Sequence, residues 1–163
     1  MTDNKHIFSI LVDNQPGVLS RVAGLFSGRG YNIESLCVAE TIDPAVSRIT
    51  MVTLGDTQII EQIKKQLFKL INVIKVYDLT TERSIQRELI LIKVTAKATH
   101  RAEILRIVDI FRAKVVDMGP DHYTIEVTGT EDKLDAIITQ LKPMGIKNIA
   151  RSGRIALLRE PKQ

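Results

Sequence analysis

The stretch DNQPGVLSRVAGLFSGRGYNIESL, residues 13–36, decides the fold of this 163-residue chain. It follows an apolar run over residues 7–12 that predicts a strand, and it opens a predicted helix. Pro16 suits the first helical turn, where its missing N–H has no partner to lose, and Gly28 and Gly30 predict the helix end. The helix has one apolar face, formed by side chains at helical spacing: Val18, Leu19, Val22, Leu25 and Phe26.

The short loop of residues 13–17 therefore leads from a strand to a helix N-terminus. Backbone N–H groups without partners and the positive end of the helix dipole collect at such a place and favour a carboxylate. Asn14 adds an amide that can donate and accept hydrogen bonds, and Gly17 lets a ligand approach the backbone closely. The same residue types also build ordinary turns, with Asp13 or Asn14 as a helix cap, so a purely structural turn is the alternative.

The chain up to residue 79 continues with two strands, a helix and a strand. Residues 32–38 and 47–54 predict a hairpin around Asp43 and Pro44, and residues 73–79 predict the closing strand. Asp56 or Thr57 caps the second helix, whose apolar stripe is Ile59, Ile60, Ile63, Leu67, Leu70 and Ile71. The order βαββαβ predicts two helices on one face of a four-stranded antiparallel sheet.

The same plan repeats after a polar segment, residues 80–87, that predicts a linker. Predicted strands cover residues 88–96, 114–118, 123–128, 146–150 and 155–158, and predicted helices carry the stripes Ile104, Leu105, Val108, Phe111 and Leu134, Ile137, Ile138, Leu141. The predicted fold is α+β, with two ferredoxin-like βαββαβ domains at residues 1–79 and 88–163. The second strand-to-helix loop, residues 97–101, has neither Gly nor Asn, so the first domain is the predicted ligand-binding one.

Composition and charge exclude several classes of function. The net charge of +4 lies in residues 79–163, because the first 78 residues carry eight Lys/Arg and eight Asp/Glu. This mild excess is typical of a solvated face or of a patch for an acidic partner protein, and not of a nucleic-acid-binding surface. No apolar run approaches the roughly 18 residues of a membrane span, and the polar first six residues predict no signal peptide. The single cysteine, Cys37, excludes an internal disulfide and fits a reducing cytoplasm. The scattered His6, His100 and His122 predict no metal site, and no catalytic constellation is present.

The motif over residues 13–36 resembles the first loop and helix of the ACT domain, a small amino-acid-binding regulatory module. Arg29-Gly30-Tyr31-Asn32-Ile33-Glu34-Ser35-Leu36 narrows the resemblance to the family of small, regulatory subunits of acetolactate synthase (acetohydroxyacid synthase). The resemblance extends over essentially the whole chain, including its length and its second domain. It implies a homodimer in which two ACT domains pair side by side and place the effector between them.

The resemblance also implies partners and a site. The partner is the large catalytic subunit, which holds thiamine diphosphate, Mg²⁺ and FAD and condenses two pyruvates, or pyruvate with 2-oxobutyrate, toward valine, leucine and isoleucine. This chain holds no cofactor; it activates the partner and makes it sensitive to valine or another branched-chain amino acid. The implied effector-binding residues are Asn14, Gln15, Pro16, Gly17 and Val18, with Asn32 from the facing subunit and with Ile33 and Leu11 as weaker candidates.

Two other functions remain as alternatives. One is a stand-alone ACT-type amino-acid sensor that acts on another enzyme or on transcription, but no helix-turn-helix or basic recognition helix is evident. The other is single-stranded RNA binding by a split-βαβ fold. That function needs exposed sheet aromatics, whereas Phe26, Phe68 and Phe111 lie in helical stripes and the chain has no Trp.

Overall fold

A computed structural model describes residues 4–160 and contains two compact units, each with its own sheet and helices. The predicted domains also include residues 1–3 and 161–163, which lie outside the described residues. The first unit contains β1 (Asn4–Asp13), α1 (Val18–Ser27), β2 (Ile33–Glu40), β3 (Val46–Gly55), α2 (Thr57–Leu67) and β4 (Val73–Asp78). The chain continues through β5 (Ser84–Thr95), α3 (Arg101–Ile110), β6 (Lys114–Met118), β7 (His122–Gly129), α4 (Glu131–Leu141), β8 (Ile146–Arg151) and β9 (Ile155–Leu158).

The first unit is a four-stranded antiparallel sheet with strand order β2-β3-β1-β4. Alternate residues of β1 and β3 point to the helices, since side chains along a strand alternate between the two faces of a sheet. The core between sheet and helices is Phe8, Ile10, Val12, Val18, Val22, Phe26, Ile49, Met51, Ile60, Ile63 and Leu67. The βαββαβ plan predicted from apolar periodicity is confirmed in this unit.

The second unit repeats the plan with the order β6-β7-β5-β8 and with α3 and α4 against one face. Its buried core contains three inward residues of β5, Ile90, Ile92 and Val94, and the helix residues Leu134 and Ile137. The prediction of two ferredoxin-like units is therefore confirmed. A short 3-10 turn, Lys142–Met144, follows α4 and ends at Gly145, which has a positive φ of 93°.

Several predicted helix ends differ from the structure. α1 begins at Val18, so Pro16 precedes the helix and does not occupy its first turn, and the cap is Gly17. After the helix only Gly30 takes the left-handed conformation, at φ 73°, whereas Gly28 is right-handed. α2 ends at Leu67, which leaves the predicted stripe residue Ile71 97% exposed. In each case the apolar pattern located the helix, and its ends depended on backbone conformations that the pattern does not encode.

The segment between the predicted domains and the end of the chain also differ. Residues 80–87 were predicted to be a linker, but β5 begins at Ser84. The first compact unit extends to Ile85 and takes back the chain from Arg154 onward, so β9, predicted as part of the second domain, belongs to the first unit. β9 pairs with β5, whose first two residues lie in the same unit. Ala156 of β9 is buried with Ile7, Val52 and Leu79 on the sheet face opposite α1 and α2.

Candidate effector-binding site

The loop between β1 and α1 is anchored on both sides by backbone hydrogen bonds. The N–H of Asp13 donates to the carbonyl of Asn72 (2.9 Å), and the N–H of Asn14 donates to the carbonyl of Ala45 in the β2–β3 turn (2.8 Å). The Asp13 carboxylate accepts a further bond from the side-chain amide of Asn72, whose oxygen in turn accepts from Arg21. The loop is therefore held between the hairpin turn and the segment that leads into β4.

Gly17 caps α1 in a conformation that favours glycine. Its φ is 83°, no side chain caps the helix, and a Cβ placed there would meet nothing within 4 Å. Among residues 4–160, no acceptor binds the backbone N–H groups of Gly17, Leu19 or Ser20. The first turn of α1 thus presents unpaired donors, next to open space, at the positive end of the helix dipole.

Gln15 and Val18 are among the implied effector-binding residues, but their backbone N–H groups already have acceptors. The N–H of Gln15 donates to the carbonyl of Asp13 (3.0 Å), and the N–H of Val18 donates to the carbonyl of Gln15 (3.4 Å). Both groups are used within the loop itself. The Val18 side chain is buried in the core, so its contribution to a ligand site is to hold the loop against the sheet.

Asn14 connects this loop to the β2–β3 hairpin. Its side-chain Nδ2 donates to the Glu40 carboxylate (3.0 Å) and to the Pro44 carbonyl (2.9 Å), so both amide hydrogens have acceptors. The amide oxygen and the Glu40 carboxylate face solvent as acceptors, since both residues are exposed. Sequence reasoning did not select Glu40. Its position at the end of β2 could have indicated that it lies near the loop, because a βαββαβ plan places the β2–β3 turn beside the β1–α1 loop.

The loop therefore offers complementary groups to a zwitterion. Unpaired N–H groups and the Arg21 guanidinium lie at the first turn of α1 and suit a carboxylate. The exposed oxygens of Asn14 and Glu40 suit an ammonium group. These are the two charged groups of a free amino acid.

The structure does not bring Asn32 to this loop within one chain. The Asn32 carbonyl accepts from the Thr53 hydroxyl (2.9 Å) at one end of β3, whereas the loop adjoins Ala45 and Val46 at the other end. Thr53 lies seven positions after Val46 along the strand, or about 23 Å at 3.3 Å per residue. Ile33 lies at that distant end and packs on the core from its edge.

Leu11, the other weaker candidate, is half-buried on the outer face of the sheet. It alternates along β1 with Ile10 and Val12, both of which point into the helix-side core. Leu11 is therefore separated from the first turn of α1 by the sheet itself. Within one chain, the predicted residues that do come together are Asn14 to Val18.

The equivalent loop of the second unit is closed by an arginine. The Arg101 side chain donates to the carbonyls of Ala96 (3.0 Å) and Pro120 (2.5 Å), across the mouth of the loop. His100 caps α3 with no side-chain bond and a negative φ. The guanidinium thus bonds a carbonyl just past the end of β5 and one in the β6–β7 turn, and the assignment of the ligand loop to the first unit stays a prediction.

Other classes of site find no support in the part of the chain that is described. Between residues 4 and 160, no three His, Cys, Asp or Glu side chains come close enough together to hold a metal ion. No helix of that range is long and apolar enough to cross a membrane. Cys37 is a free, half-buried cysteine in β2.

Two family models match the chain and together span most of it. The model described as an AHAS small subunit-like ACT domain matches residues 8–75, and the model described as the small subunit of acetolactate synthase matches residues 87–160. The first match contains the loop and helix that carry the candidate site.

Relatives and a solved structure agree with these models. An acetolactate synthase small subunit from Aquifex aeolicus is 54% identical over 96% of this chain and 82% of its own length. The acetolactate synthase small subunit of Haemophilus influenzae is 50% identical over 97% of this chain and 98% of its own. The crystal structure of the Thermotoga maritima acetolactate synthase small subunit superposes with a TM-score of 0.88, at 40% identity over 98% of this chain and 99% of that one.

Proposed function

This chain belongs to the family of acetolactate synthase small subunits, and we propose that it activates a large catalytic subunit and makes it sensitive to valine or another branched-chain amino acid. In this proposal the chemistry takes place in the large subunit, with thiamine diphosphate, Mg²⁺ and FAD, in the cytoplasm. The small subunit holds no cofactor and acts by binding the effector and the partner.

The observation that supports an amino-acid effector most strongly is the open first turn of α1. The unpaired N–H groups of Gly17, Leu19 and Ser20 would hold the effector carboxylate. The oxygens of Asn14 and Glu40 would hold its ammonium group. A preference for a branched side chain rests on family membership.

The position of Asn32 supports a site shared by two copies of the chain. β2 is an edge strand, and a free edge is available to pair with a second chain. If two β2 edges pair antiparallel about a twofold axis, the start of one strand lies beside the end of the other. Asn32 of one subunit would then approach Glu40 of the other, and with it the Asn14 loop bonded to that carboxylate. The result is two equivalent sites in a homodimer.

A shared site gives a physical route to regulation. An effector bound between two subunits favours the arrangement in which both halves of the site contact it. Such coupling typically amounts to about 1 to 3 kcal/mol, and it is reciprocal, so the catalytic partner must change effector affinity by the same factor.

Calorimetric titration tests the sensor, and reconstitution tests the activator. Purified chain is titrated with valine, leucine and isoleucine, with alanine and glutamate as controls, alone and with the large subunit. We expect saturable binding of a branched-chain amino acid near one per chain, and we expect acetolactate formation to rise when the small subunit is added and to fall with effector. The absence of branched-chain binding in both states would overturn the sensor, and unchanged acetolactate formation would overturn the activator.

A further inference from the structure

A cavity lies within the first unit, away from the loop that precedes α1. It has a volume of about 280 Å³ and is formed by the outer face of the sheet and the end of the chain around β9. Ser9 and Arg48 contribute from β1 and β3, and Leu157 and Leu158 contribute from β9. Ligand pockets commonly range from about 300 to 1,000 Å³, so this cavity lies just below that range and has room for only a small ligand.

Arg48 is the chief polar group of the cavity. Its Nη1 donates to the hydroxyl of Ser9 (2.6 Å), and Ser9 is only 1% exposed. A buried partner therefore fixes the guanidinium on the cavity wall. Among residues 4–160, no carboxylate lies within ion-pair distance of Arg48. A guanidinium has five N–H donors in a planar fork, and most of those on Arg48 remain available to an anion.

The remaining walls are largely apolar. Leu79 is buried at the base, and the Tyr77 ring lies beside it. On the other side, Leu157 is 57% exposed and Leu158 is 46% exposed, so both have apolar surface that a ligand could cover. Burial of such surface stabilises a complex by about 25 cal/mol per Å². Beside Arg48, the cavity thus presents hydrocarbon from Leu79, Leu157 and Leu158.

The charges around the cavity favour an anion. Arg159 and Glu160 line it together with Arg48, which gives an excess of one positive charge. Lys75 lies close by, with its ammonium 4.8 Å from the centre of the Tyr77 ring. Glu160 gives the cavity one acidic group that an ammonium could contact.

We propose that this cavity binds a small monocarboxylate with a hydrocarbon chain. Its carboxylate is held by Arg48, and its chain lies between Leu79 and the two leucines of β9. An α-amino acid and a simple fatty or oxo acid share this chemistry, and Glu160 would distinguish them. The site is separate from the loop at Gly17, which lies at the first turn of α1, beyond the end of β1.

Binding would also fasten β9 to the sheet. In the structure β9 pairs with β5. Two hydrogen bonds flank it: the N–H of Arg159 donates to the Arg83 carbonyl (2.8 Å), and the N–H of Arg154 donates to the Ser35 hydroxyl (2.8 Å). A ligand that contacts both Arg48 and Leu157 adds a bridge between sheet and tail. Slower amide exchange in residues 155–158 is the expected consequence.

The test is a titration of the full chain with hexanoate, followed by the methyl NMR signals of its leucines. Hexan-1-ol serves as the uncharged probe, and norleucine as the probe that adds an ammonium group. We expect hexanoate to shift the methyl signals of Leu79, Leu157 and Leu158 saturably and hexan-1-ol to bind far more weakly. If norleucine binds more tightly than hexanoate, the ligand is an amino acid whose ammonium group contacts Glu160. If hexanoate binds more tightly, the ligand is a simple carboxylic acid.

Variants locate the carboxylate. Arg48→Gln should weaken hexanoate binding by about ten- to hundredfold, because it removes charge-assisted hydrogen bonds. Arg48→Lys keeps the charge and should weaken binding less. Arg106→Gln, an exposed arginine of the second unit, is the matched control, and Gly17→Asp tests independence from the loop site; both should bind hexanoate as the parent does. Three results would overturn the proposal: equal affinity for hexanoate and hexan-1-ol, an unchanged hexanoate affinity in Arg48→Gln, or no shift of the methyl signals of the cavity leucines.

Discussion

The two strand-to-helix loops occupy equivalent places in the two units, yet their chemistry differs. In the first, the N–H of Asn14 reaches the Ala45 carbonyl in the neighbouring hairpin turn. In the second, the N–H of Ala96 makes the same bond to the carbonyl of Asp121. A proline carbonyl in each hairpin turn then accepts a side chain from the loop: Pro44 accepts from Asn14, and Pro120 accepts from Arg101.

The same fold therefore contains one loop that leaves polar groups exposed and one that an arginine closes. Arg101 spans its loop with a guanidinium that bonds two carbonyls of the chain itself. Asn14 is short and leaves an oxygen and the Glu40 carboxylate exposed, and Gly17 leaves open space above unpaired N–H groups. In both units a side chain of the loop bonds a carbonyl of the hairpin turn, and the short Asn14 leaves more open space than Arg101 does.

The largest expected effect is that of Gly17→Asp on effector binding. A carboxylate at this position would repel the effector carboxylate, and such like-charge contacts cost several kcal/mol, or about a hundredfold or more in affinity. We expect the fold to be retained despite strain at φ 83°, since a Cβ there meets nothing within 4 Å and Asp adopts left-handed backbone more readily than most residues. Activity assays of the reconstituted enzyme should show activation retained and inhibition by valine lost.

Gly17→Ala is the matched control for Gly17→Asp. It introduces at least as much backbone strain at φ 83° but no charge, so it should keep much of the effector response. Inhibition by valine that survives in Gly17→Asp would show that the effector binds elsewhere.

Asn14→Ala and Arg101→Ala sharpen the comparison of the loops. Asn14→Ala removes the hydrogen bonds to Glu40 and Pro44 and one oxygen that could bind the effector. Effector affinity should therefore fall by about 1 to 3 kcal/mol, or roughly five- to 150-fold. Arg101→Ala removes the corresponding hydrogen bonds of the second unit and should leave effector affinity unchanged. Calorimetric titration measures both, and equal losses in the two variants would mean that these hydrogen bonds act through overall stability.

The caps of α2 and α4 give a smaller, purely structural comparison. Asp56 accepts a hydrogen bond from the N–H of Ile59 (2.9 Å), whereas Thr130 has nearly the same backbone conformation and no side-chain bond. Asp56→Ala should therefore lower the free energy of unfolding by about 1 kcal/mol. Thr130→Ala should lower it by less. Chemical denaturation of both variants is the measurement, and equal losses would contradict the difference in capping.

The smallest expected effect is acid sensitivity through Asp78. Burial alone would raise the pKa of Asp78, but hydrogen bonds from Thr80 and the paired Lys64 (3.2 Å) outweigh it and hold the pKa below its usual value of 3.8. A carboxyl with a lowered pKa stabilises the folded state above about pH 4, and this stabilisation is lost as the pH falls through the folded-state value. Asp78→Asn should lower stability by less than about 1 kcal/mol at neutral pH. The deficit should shrink in acid, and a deficit that is constant with pH would contradict the assignment.

Much of the fold was predictable from local pattern, because each element has a buried face that its own sequence encodes. The β6 strand, at Lys114–Met118, was predicted with its observed bounds, and Asp56 was one of the two predicted caps of α2. The position of β9 was not predictable in this way. Its residues 155–158 are apolar, and nothing local indicates that Ala156 is buried against Ile7 and Val52, over one hundred positions earlier.

The candidate site was predictable in part for the same reason. The pattern over residues 13–17 indicated the helix N-terminus and the open backbone at Gly17, which are local properties. The partners of Asn14 are 26 and 30 positions away, so neither Glu40 nor Pro44 emerged from the loop sequence. Asn32 was placed by family resemblance in the facing subunit; it lies far from the loop within one chain, and its contribution from a second copy stays a prediction.

The most direct test of a shared site is a mixed dimer of Gly17→Asp and Asn32→Ala chains, co-expressed with two tags and titrated with valine beside both parent homodimers. In each homodimer, both sites contain one substituted residue. In the mixed dimer, one site contains both substituted residues, and the other contains the original Gly17 and Asn32. The account predicts that the mixed dimer binds valine with the affinity of the unaltered protein at half of its sites. Binding no better than in the parent homodimers would contradict a site built from two subunits.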